Sequence, residues 1–130
     1  MNILVGYDGS KVANDALELA IQQAKAFDAK VHIVTSMKGG PEVPREDFER
    51  AEEELKYAKS IIKKKGTPCE SHLSIRGLEA GEDLVQYAEE NQIDQIILGV
   101  RRRSKVGKFV FGSTAQYVIL EAPCPVLSVK

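Results

Sequence analysis

Cysteine is scarce in this chain of 130 residues, which contains only Cys69 and Cys124. The two residues lie in separate strand-like segments and lack the close spacing of metal ligands, so we interpret both as small buried apolar residues. No hydrophobic run approaches the length needed to cross a bilayer, and the first residues show neither the basic segment nor the cleavage site of a secretory signal. We therefore expect a cytoplasmic location and no membrane contact.

An excess of charge of either sign is also lacking, because 18 Lys and Arg residues oppose 19 Asp and Glu residues, for a formal net charge of −1. This balance does not favour general binding to nucleic acid. Two phosphate-binding patterns are absent as well, Gly-x-x-x-x-Gly-Lys-Ser/Thr and Gly-x-Gly-x-x-Gly. Their absence excludes the P-loop and dinucleotide-binding classes.

Hydrophobic patterning predicts alternating strands and helices. The predicted strands are 3–6, 30–37, 69–75, 94–98 and 125–130, and the predicted helices are 11–27, 45–65, 79–91 and 112–121. This alternation indicates an α/β fold, in which a single doubly wound parallel sheet carries helices on both faces. We expect the strand order 3-2-1-4-5 and one domain spanning residues 1–130, because no internal repeat or low-complexity tract interrupts the pattern.

Periodicity also assigns individual side chains to the interior or the surface. Helical spacing predicts that Phe27 and Ile119 face the core. The alternating segment 69–75 predicts a strand at an edge or covered on one face, with His72 pointing outward and without a role. We interpret His32 as an ordinary strand residue, because no second His or Cys lies near it in sequence.

The segment between the fourth strand and the last helix carries five cations and no carboxylate, namely Arg101, Arg102, Arg103, Lys105 and Lys108. Gly99 and Gly112 bound this segment, and the last helix begins with the hydroxyl residues Ser113 and Thr114. Glycine lets the backbone approach an oxyanion, and the start of a helix offers free N–H groups. The segment therefore predicts an anion cradle, with a solvated basic turn as the alternative.

The predicted strand order brings a second polar segment to the same crevice. The reversal lies between the first and fourth strands, so the residues Tyr7, Asp8 and Gly9 that follow the first strand face Gly99. Structural roles remain open as alternatives, since Asp8 or Ser10 can cap the first helix. Ser113 can likewise cap the last one.

Several of these motifs together resemble the universal stress protein family over residues 3–130. They are Ile-Leu-Val-Gly-Tyr-Asp-Gly-Ser at 3–10, Gly77, Ile-Asp-Gln-Ile-Ile-Leu-Gly at 93–99, Gly-Ser-Thr-Ala at 112–115, Val118, and Ala-Pro-Cys-Pro-Val-Leu-Ser-Val at 122–129. The resemblance implies the same sheet order, and a nucleotide-binding branch with the pattern Gly-x-x-Gly, nine residues, Gly-Ser/Thr. Gly99, Gly112 and Ser113 match this pattern, whereas Arg102 replaces the second glycine.

The resemblance implies ATP or AMP as ligand, with any Mg²⁺ bound through the phosphates. It places Asp8 at the adenosine end and the neighbours Thr35, Ser36 and Met37 along the base pocket. We interpret Arg102 as reaching a phosphate oxygen, with Arg101 and Arg103 beside it. The alternative is that Arg102 crowds the phosphate site.

The last predicted strand is an edge whose residues Val126, Leu127, Ser128 and Val129 are uncharged. Because bare apolar edges are normally avoided, we expect a homodimer in which two such strands pair, unless a loop covers the edge.

We expect a nucleotide-dependent signalling or regulatory module of the stress response. The alternative is a nucleotide-free adaptor whose basic loop binds an unknown protein partner. No His or Glu is expected in the crevice, so we expect no enzyme beyond slow ATP hydrolysis.

Overall fold

The computed structural model describes residues 1–100 and 112–130. The described elements are β1 Asn2–Gly6, α1 Lys11–Phe27, β2 Lys30–Met37, α2 Arg45–Lys64, β3 Cys69–Ile75, α3 Ala80–Glu90, β4 Gln95–Gly99, α4 Ser113–Glu121 and β5 Val126–Val129. Each bound agrees with the sequence-based prediction to within one residue. The five cations of the basic segment, including Arg101, Arg102 and Arg103, lie outside the described residues.

The strands form a five-stranded parallel sheet in the order β3-β2-β1-β4-β5, which confirms the prediction. Val5 of β1 lies in register with Ile33 of β2 on one side and with Ile97 of β4 on the other. All strands therefore end at the same edge of the sheet. The reversal of strand order beside β1 opens a crevice at that edge.

Consecutive strand residues point to opposite faces of the sheet, and both faces are covered. Ile3, Val5 and Ile33 pack under α1 and α2, together with Leu17 and Ile62 of those helices. On the opposite face, a second core forms beneath α3 and α4, with Leu4, Val34, Leu84, Ile96 and Val118 among its members. Burial on both faces explains why β1, β2 and β4 are nearly continuous apolar runs.

Two side chains that helical spacing placed in the core lie at the surface. Phe27 is 57% exposed and Ile119 is 43% exposed, so both predictions were wrong. Phe27 is the last residue of α1, and Asp28 turns the chain away with a φ of 53°. In α4 the buried residues are Ala115 and Val118. Because adjacent helical residues are about 100° apart, an inward Val118 turns Ile119 sideways.

The histidine and cysteine predictions hold in part. β3 is an edge strand and His72 is exposed, but His72 Nε2 lies 2.9 Å from Glu70 Oε1, so this ring is not without a partner. His32 is only 5% exposed, and both of its ring nitrogens are hydrogen-bonded. Cys69 and Cys124 are free thiols that are half-buried rather than fully buried, and this burial raises the pKa of both.

Candidate functional site

The turn after β1 forms the floor of the crevice. Tyr7 is buried, its backbone N–H donates to the Val34 carbonyl over 2.9 Å, and its hydroxyl donates to Asn14 Oδ1 over 2.8 Å. Asp8 is exposed, and its Oδ1 accepts a hydrogen bond from the Ser10 backbone N–H over 3.0 Å. Ser10 caps α1, because its Oγ accepts from the Ala13 N–H over 3.2 Å. Asp8 therefore stabilises the turn but is not the helix cap.

Gly9 brings the same turn against helix α2. Its φ of 77° lies in the left-handed region, and a Cβ at this position would overlap the Glu54 carboxylate. Glu54 thus lies beside the crevice, and the expectation that no Glu belongs there was wrong. Sequence reasoning had no signal for it, because Glu54 is one of several acidic residues on a helix whose rotation only tertiary packing decides.

The end of β2 contributes two hydroxyl groups on opposite faces of the sheet. Thr35 Oγ1 donates to the Tyr7 carbonyl oxygen over 2.8 Å, which ties β2 to the turn after β1. Ser36 Oγ donates to Asp83 Oδ2 over 2.6 Å, which ties β2 to α3. Met37 follows and is half-buried. Both hydroxyl protons are therefore used within the protein.

Asp83 is the buried acceptor at the centre of a polar cluster that sequence reasoning missed. Its side chain is 1% exposed and pairs with the Arg76 guanidinium, at 2.8 Å from Nε and 2.7 Å from Nη2 to Oδ1. Ser74 Oγ donates to the same oxygen over 3.0 Å. The cluster joins the ends of β2 and β3 to the first turns of α3. The sequence offered no signal, because Asp83 lies among polar residues of an amphipathic helix.

The opposite wall of the crevice is formed by the end of β4 and the start of α4. A Cβ at Gly99 would lie 2.7 Å from Val12 Cγ1 and 3.1 Å from the Val12 carbonyl oxygen, so glycine permits α1 to cross the end of β4. Gly112 is the N-cap of α4 and, as a glycine, has no side chain with which to cap the helix. Ser113 is the first helical residue, so the alternative that it caps α4 was wrong.

These walls enclose two adjoining cavities of about 260 and 250 Å³. The first cavity is lined by seven of the sequence-predicted site residues, Tyr7, Asp8, Ser36, Gly99, Gly112, Ser113 and Thr114. The second is lined by four, Asp8, Thr35, Ser36 and Met37. Asp8 and Ser36 line both cavities and join them into one crevice. Gly9 lies behind this lining, and Arg101 to Arg103 fall outside the described residues.

The two cavities differ in charge. Among the described residues, the second is lined by the carboxylates of Asp8, Asp47 and Glu54 and by the guanidinium of Arg50. The first combines apolar side chains with the start of α4, and Asp8 is its charged lining residue among those described. Residues 1–100 and 112–130 contain no group of three His, Cys, Asp or Glu side chains placed to hold a metal ion. The arrangement therefore has one anion-compatible end and one acidic end.

A parallel sheet of this order, with a crevice at its switch point, defines a doubly wound α/β protein, a class in which ligands bind at the carboxyl ends of the strands. The chain belongs to the universal stress protein family, whose model matches residues 1–130. The family assignment made from the motifs is thereby confirmed. None of the described helices combines the length and the apolar character needed to span a membrane.

The sequences of individual relatives align with this chain along almost their whole length. A universal stress protein of Thermus aquaticus is 35% identical over 137 residues, covering 98% of this chain and 97% of the relative. A universal stress protein structure from Archaeoglobus fulgidus is 40% identical, with a TM-score of 0.93 and coverage of 100% of this chain and 98% of that chain.

Two further solved structures contain a nucleotide. A universal stress protein from Archaeoglobus fulgidus in complex with dAMP is 37% identical, with a TM-score of 0.87 and coverage of 100% of this chain and 98% of that chain. A universal stress protein in complex with cAMP is 25% identical, with a TM-score of 0.78 and coverage of 100% and 96%. Nucleotides with an adenine base are thus bound by proteins similar to this chain.

Proposed function

We propose that this chain is a cytoplasmic, dimeric adenine-nucleotide-binding module of the stress response, with ATP or AMP as its ligand. The observation that carries the proposal is the crevice itself, in which two cavities of about 260 and 250 Å³ meet at Asp8 and Ser36. One end offers a helix start and the other an acidic, hydroxyl-lined wall. The dAMP complex of a relative 37% identical to this chain supports the same ligand class.

The phosphates belong at the start of α4 in this proposal. The first N–H groups of a helix lack intrahelical acceptors and attract anions, and Ser113 and Thr114 add hydroxyl groups. Gly112 leaves open space at this point, since a Cβ built on it meets no described atom within 4 Å. The cations Arg101, Arg102 and Arg103 precede this helix in sequence and carry the charge suited to phosphate. Mg²⁺ would enter with the phosphates.

The adenosine end belongs in the second cavity. Among the described residues, its three carboxylates, Asp8, Asp47 and Glu54, outnumber the guanidinium of Arg50, so this lining disfavours a phosphate group. Carboxylate and hydroxyl oxygens suit the hydroxyl groups of a ribose and the amino group of adenine. A nucleotide would thus lie across the crevice in one direction, past Ser36.

Dimerisation would use the free edge of β5. β5 is the last strand of the sheet, and its residues Val126 and Val129 are half-buried within one chain. Pairing of two β5 strands across a two-fold axis would satisfy the outward backbone groups and cover both edges. Nucleotide occupancy would then act on the surface of the segment 101–108 that a protein partner reads. We assign no catalytic residue.

The first test identifies the ligand of the purified protein. The protein is denatured, and any released nucleotide is identified and quantified by chromatography and mass spectrometry. Calorimetry then measures the affinity for AMP and for ATP with and without Mg²⁺. We expect stoichiometric adenine nucleotide or binding on addition. A protein that is empty and takes up neither nucleotide would instead support an adaptor without nucleotide.

A variant test addresses the position of the site. Gly112→Ala combined with Ser113→Ala places a methyl group in the open space and removes a hydroxyl, so we expect affinity to fall by at least tenfold, or about 1.4 kcal/mol. Ser60→Ala is the matched control, because Ser60 lies on the exposed side of α2 and donates to the Tyr57 carbonyl oxygen. Unchanged affinity in the double variant would refute this site.

A further inference from the structure

The Ser36 hydroxyl has its only proton committed to a buried carboxylate. Ser36 Oγ lies 2.6 Å from Asp83 Oδ2, whereas Asp83 Oδ1 receives Ser74 and Arg76. An ionised carboxylate has acceptor oxygens only, so the hydrogen bond between Ser36 and Asp83 has one possible direction. The lone pairs of Ser36 Oγ are what this hydroxyl can offer to a ligand in the crevice.

The neighbouring hydroxyl has the same polarity. Thr35 Oγ1 donates to the Tyr7 carbonyl oxygen over 2.8 Å, and a carbonyl oxygen cannot donate in return. Thr35 and Ser36 line the second cavity together with the carboxylates of Asp8, Asp47 and Glu54. Thr35 and Ser36 point to opposite faces of the sheet, so they do not act on the same group of a ligand. Ser36 lines both cavities, and its oxygen therefore gives the end of β2 a wall that accepts hydrogen bonds where the two cavities meet.

The polarity of this wall distinguishes purine bases. Adenine carries an amino group at C6 that donates hydrogen bonds, whereas hypoxanthine and guanine carry a carbonyl oxygen that only accepts. An acceptor at the wall pairs with the amino group and meets the 6-oxo group with repulsion between lone pairs. Among the described residues, the carboxylates of the second cavity disfavour the phosphates, so the base lies toward that cavity, and Ser36 stands where the two cavities meet.

We propose that Asp83 is a positioning residue that holds Ser36 as an acceptor and thereby makes the site select 6-amino purines over 6-oxo purines. This inference rests on the proposed nucleotide-binding function. Asp83 itself is 1% exposed in its side chain and lines neither cavity, so it acts through Ser36. The Arg76 guanidinium contacts Oδ1 of this carboxylate and thereby orients it.

Asp83→Asn provides a sharp test, because the cluster decides how the amide is oriented. Arg76 and Ser74 donate to the position of Oδ1, so the amide oxygen must occupy that position. The amide NH₂ then faces Ser36 and donates to it. Ser36 becomes the acceptor of this bond, and its own proton turns toward the cavity. The polarity presented to the base is thus inverted without a change of shape.

The experiment compares AMP with IMP by calorimetry, because the two nucleotides differ only at C6 and in the N1 proton. We expect the parent protein to bind AMP at least tenfold more tightly than IMP, on the scale of one hydrogen bond. We expect Ser36→Ala to reduce the ratio of affinities to within about threefold and Asp83→Asn to bring it to one or below. The matched control is Ser74→Ala, which removes a hydroxyl from Oδ1 but lines neither cavity, and should retain the parent ratio.

Each outcome decides the inference. Thermal unfolding curves first establish that the variants are folded. If Asp83→Asn is not folded, the comparison of Ser36→Ala with the parent protein is the test. A parent ratio near one, or a ratio unchanged in Ser36→Ala, would overturn the inference while leaving nucleotide binding intact. A failure of both AMP and IMP to bind would overturn the proposed function and this inference with it.

Discussion

His32 Nδ1 lies 2.8 Å from the hydroxyl oxygen of Tyr87, in the core between the sheet and α3. The other ring nitrogen, Nε2, lies 3.1 Å from Asn2 Oδ1. A neutral ring with its proton on Nε2 satisfies both contacts, since it donates to Asn2 and accepts from Tyr87. Burial lowers the pKa of His32 below its usual 6.5, in spite of the nearby Glu70 carboxylate.

The lowered pKa of His32 predicts a loss of stability in mild acid. The unfolded chain takes up a proton near pH 6.5 whereas the folded chain does so only at lower pH, so the free energy of unfolding falls as the pH drops below about 6.5. We expect His32→Gln, which cannot titrate, to show a smaller decrease in Tm between pH 8 and pH 5. Equal slopes in parent and variant would contradict this account.

The lowered pKa of Glu70 predicts a second loss of folding stability, at lower pH than the first. Hydrogen bonds from Lys30 and His72 lower the pKa of Glu70 from 4.5 to about 2. A carboxylate with a lowered pKa stabilises the fold above pH 4.5, and this contribution is lost as the pH falls from 4.5 toward 2. We expect Glu70→Gln to be less stable than the parent at pH 6 and to approach it at pH 2.5, as measured by urea unfolding. A constant difference across this range would show that Glu70 does not titrate in this way.

Gly99 and Gly112 are expected to respond differently to the same substitution. A Cβ at Gly99 would lie 3.1 Å from the backbone carbonyl carbon and oxygen of Val12, which cannot move without displacing α1. We expect Gly99→Ala to cost about 1–3 kcal/mol of unfolding free energy. Gly112→Ala has open space and a φ of −66°, and should change stability by less than about 1 kcal/mol. Urea denaturation of both variants measures the contrast, and equal costs would contradict it.

A substitution at the free edge of β5 can test dimerisation without disturbing the fold of the single chain. The carbonyl oxygen of Pro125 accepts a hydrogen bond from the N–H of Ile96 in β4 over 3.0 Å, and that of Val129 accepts one from Val100, the residue after β4, over 2.6 Å. In a parallel ladder the alternate residues, including Ser128, turn their backbone groups outward. Ser128→Pro removes one outward N–H and is tolerated at an edge.

We therefore expect the Ser128→Pro variant to sediment as a monomer with an unchanged circular dichroism spectrum, whereas the parent sediments as a dimer. Ser128→Ala keeps the N–H and serves as the matched control, which should remain dimeric. A Ser128→Pro variant that dimerises as the parent does would refute pairing through β5, and so would a parent that is monomeric.

Secondary structure and topology could be predicted because both depend on local pattern. Buried parallel strands such as 3–6 and 94–98 are continuous apolar runs, and Gly, Ser and Pro mark the ends of the elements. The crevice followed from topology, since the strand order alone brings Asp8 and Gly99 to the same edge. Errors occurred at a helix end and on a short helix, where Phe27 and Ile119 remain 57% and 43% exposed.

The amino-acid sequence by itself determined the family, the sheet order and the residues that meet at the crevice, because apolar periodicity and turn residues act over a few neighbouring positions. Only the tertiary structure decided which oxygen donates and which accepts. The contact of Glu54 with the Gly9 turn and the commitment of the Ser36 proton to Asp83 join residues 45 and 47 positions apart, respectively. Such contacts depend on the rotation of α2 and α3 against the sheet, which no local pattern specifies.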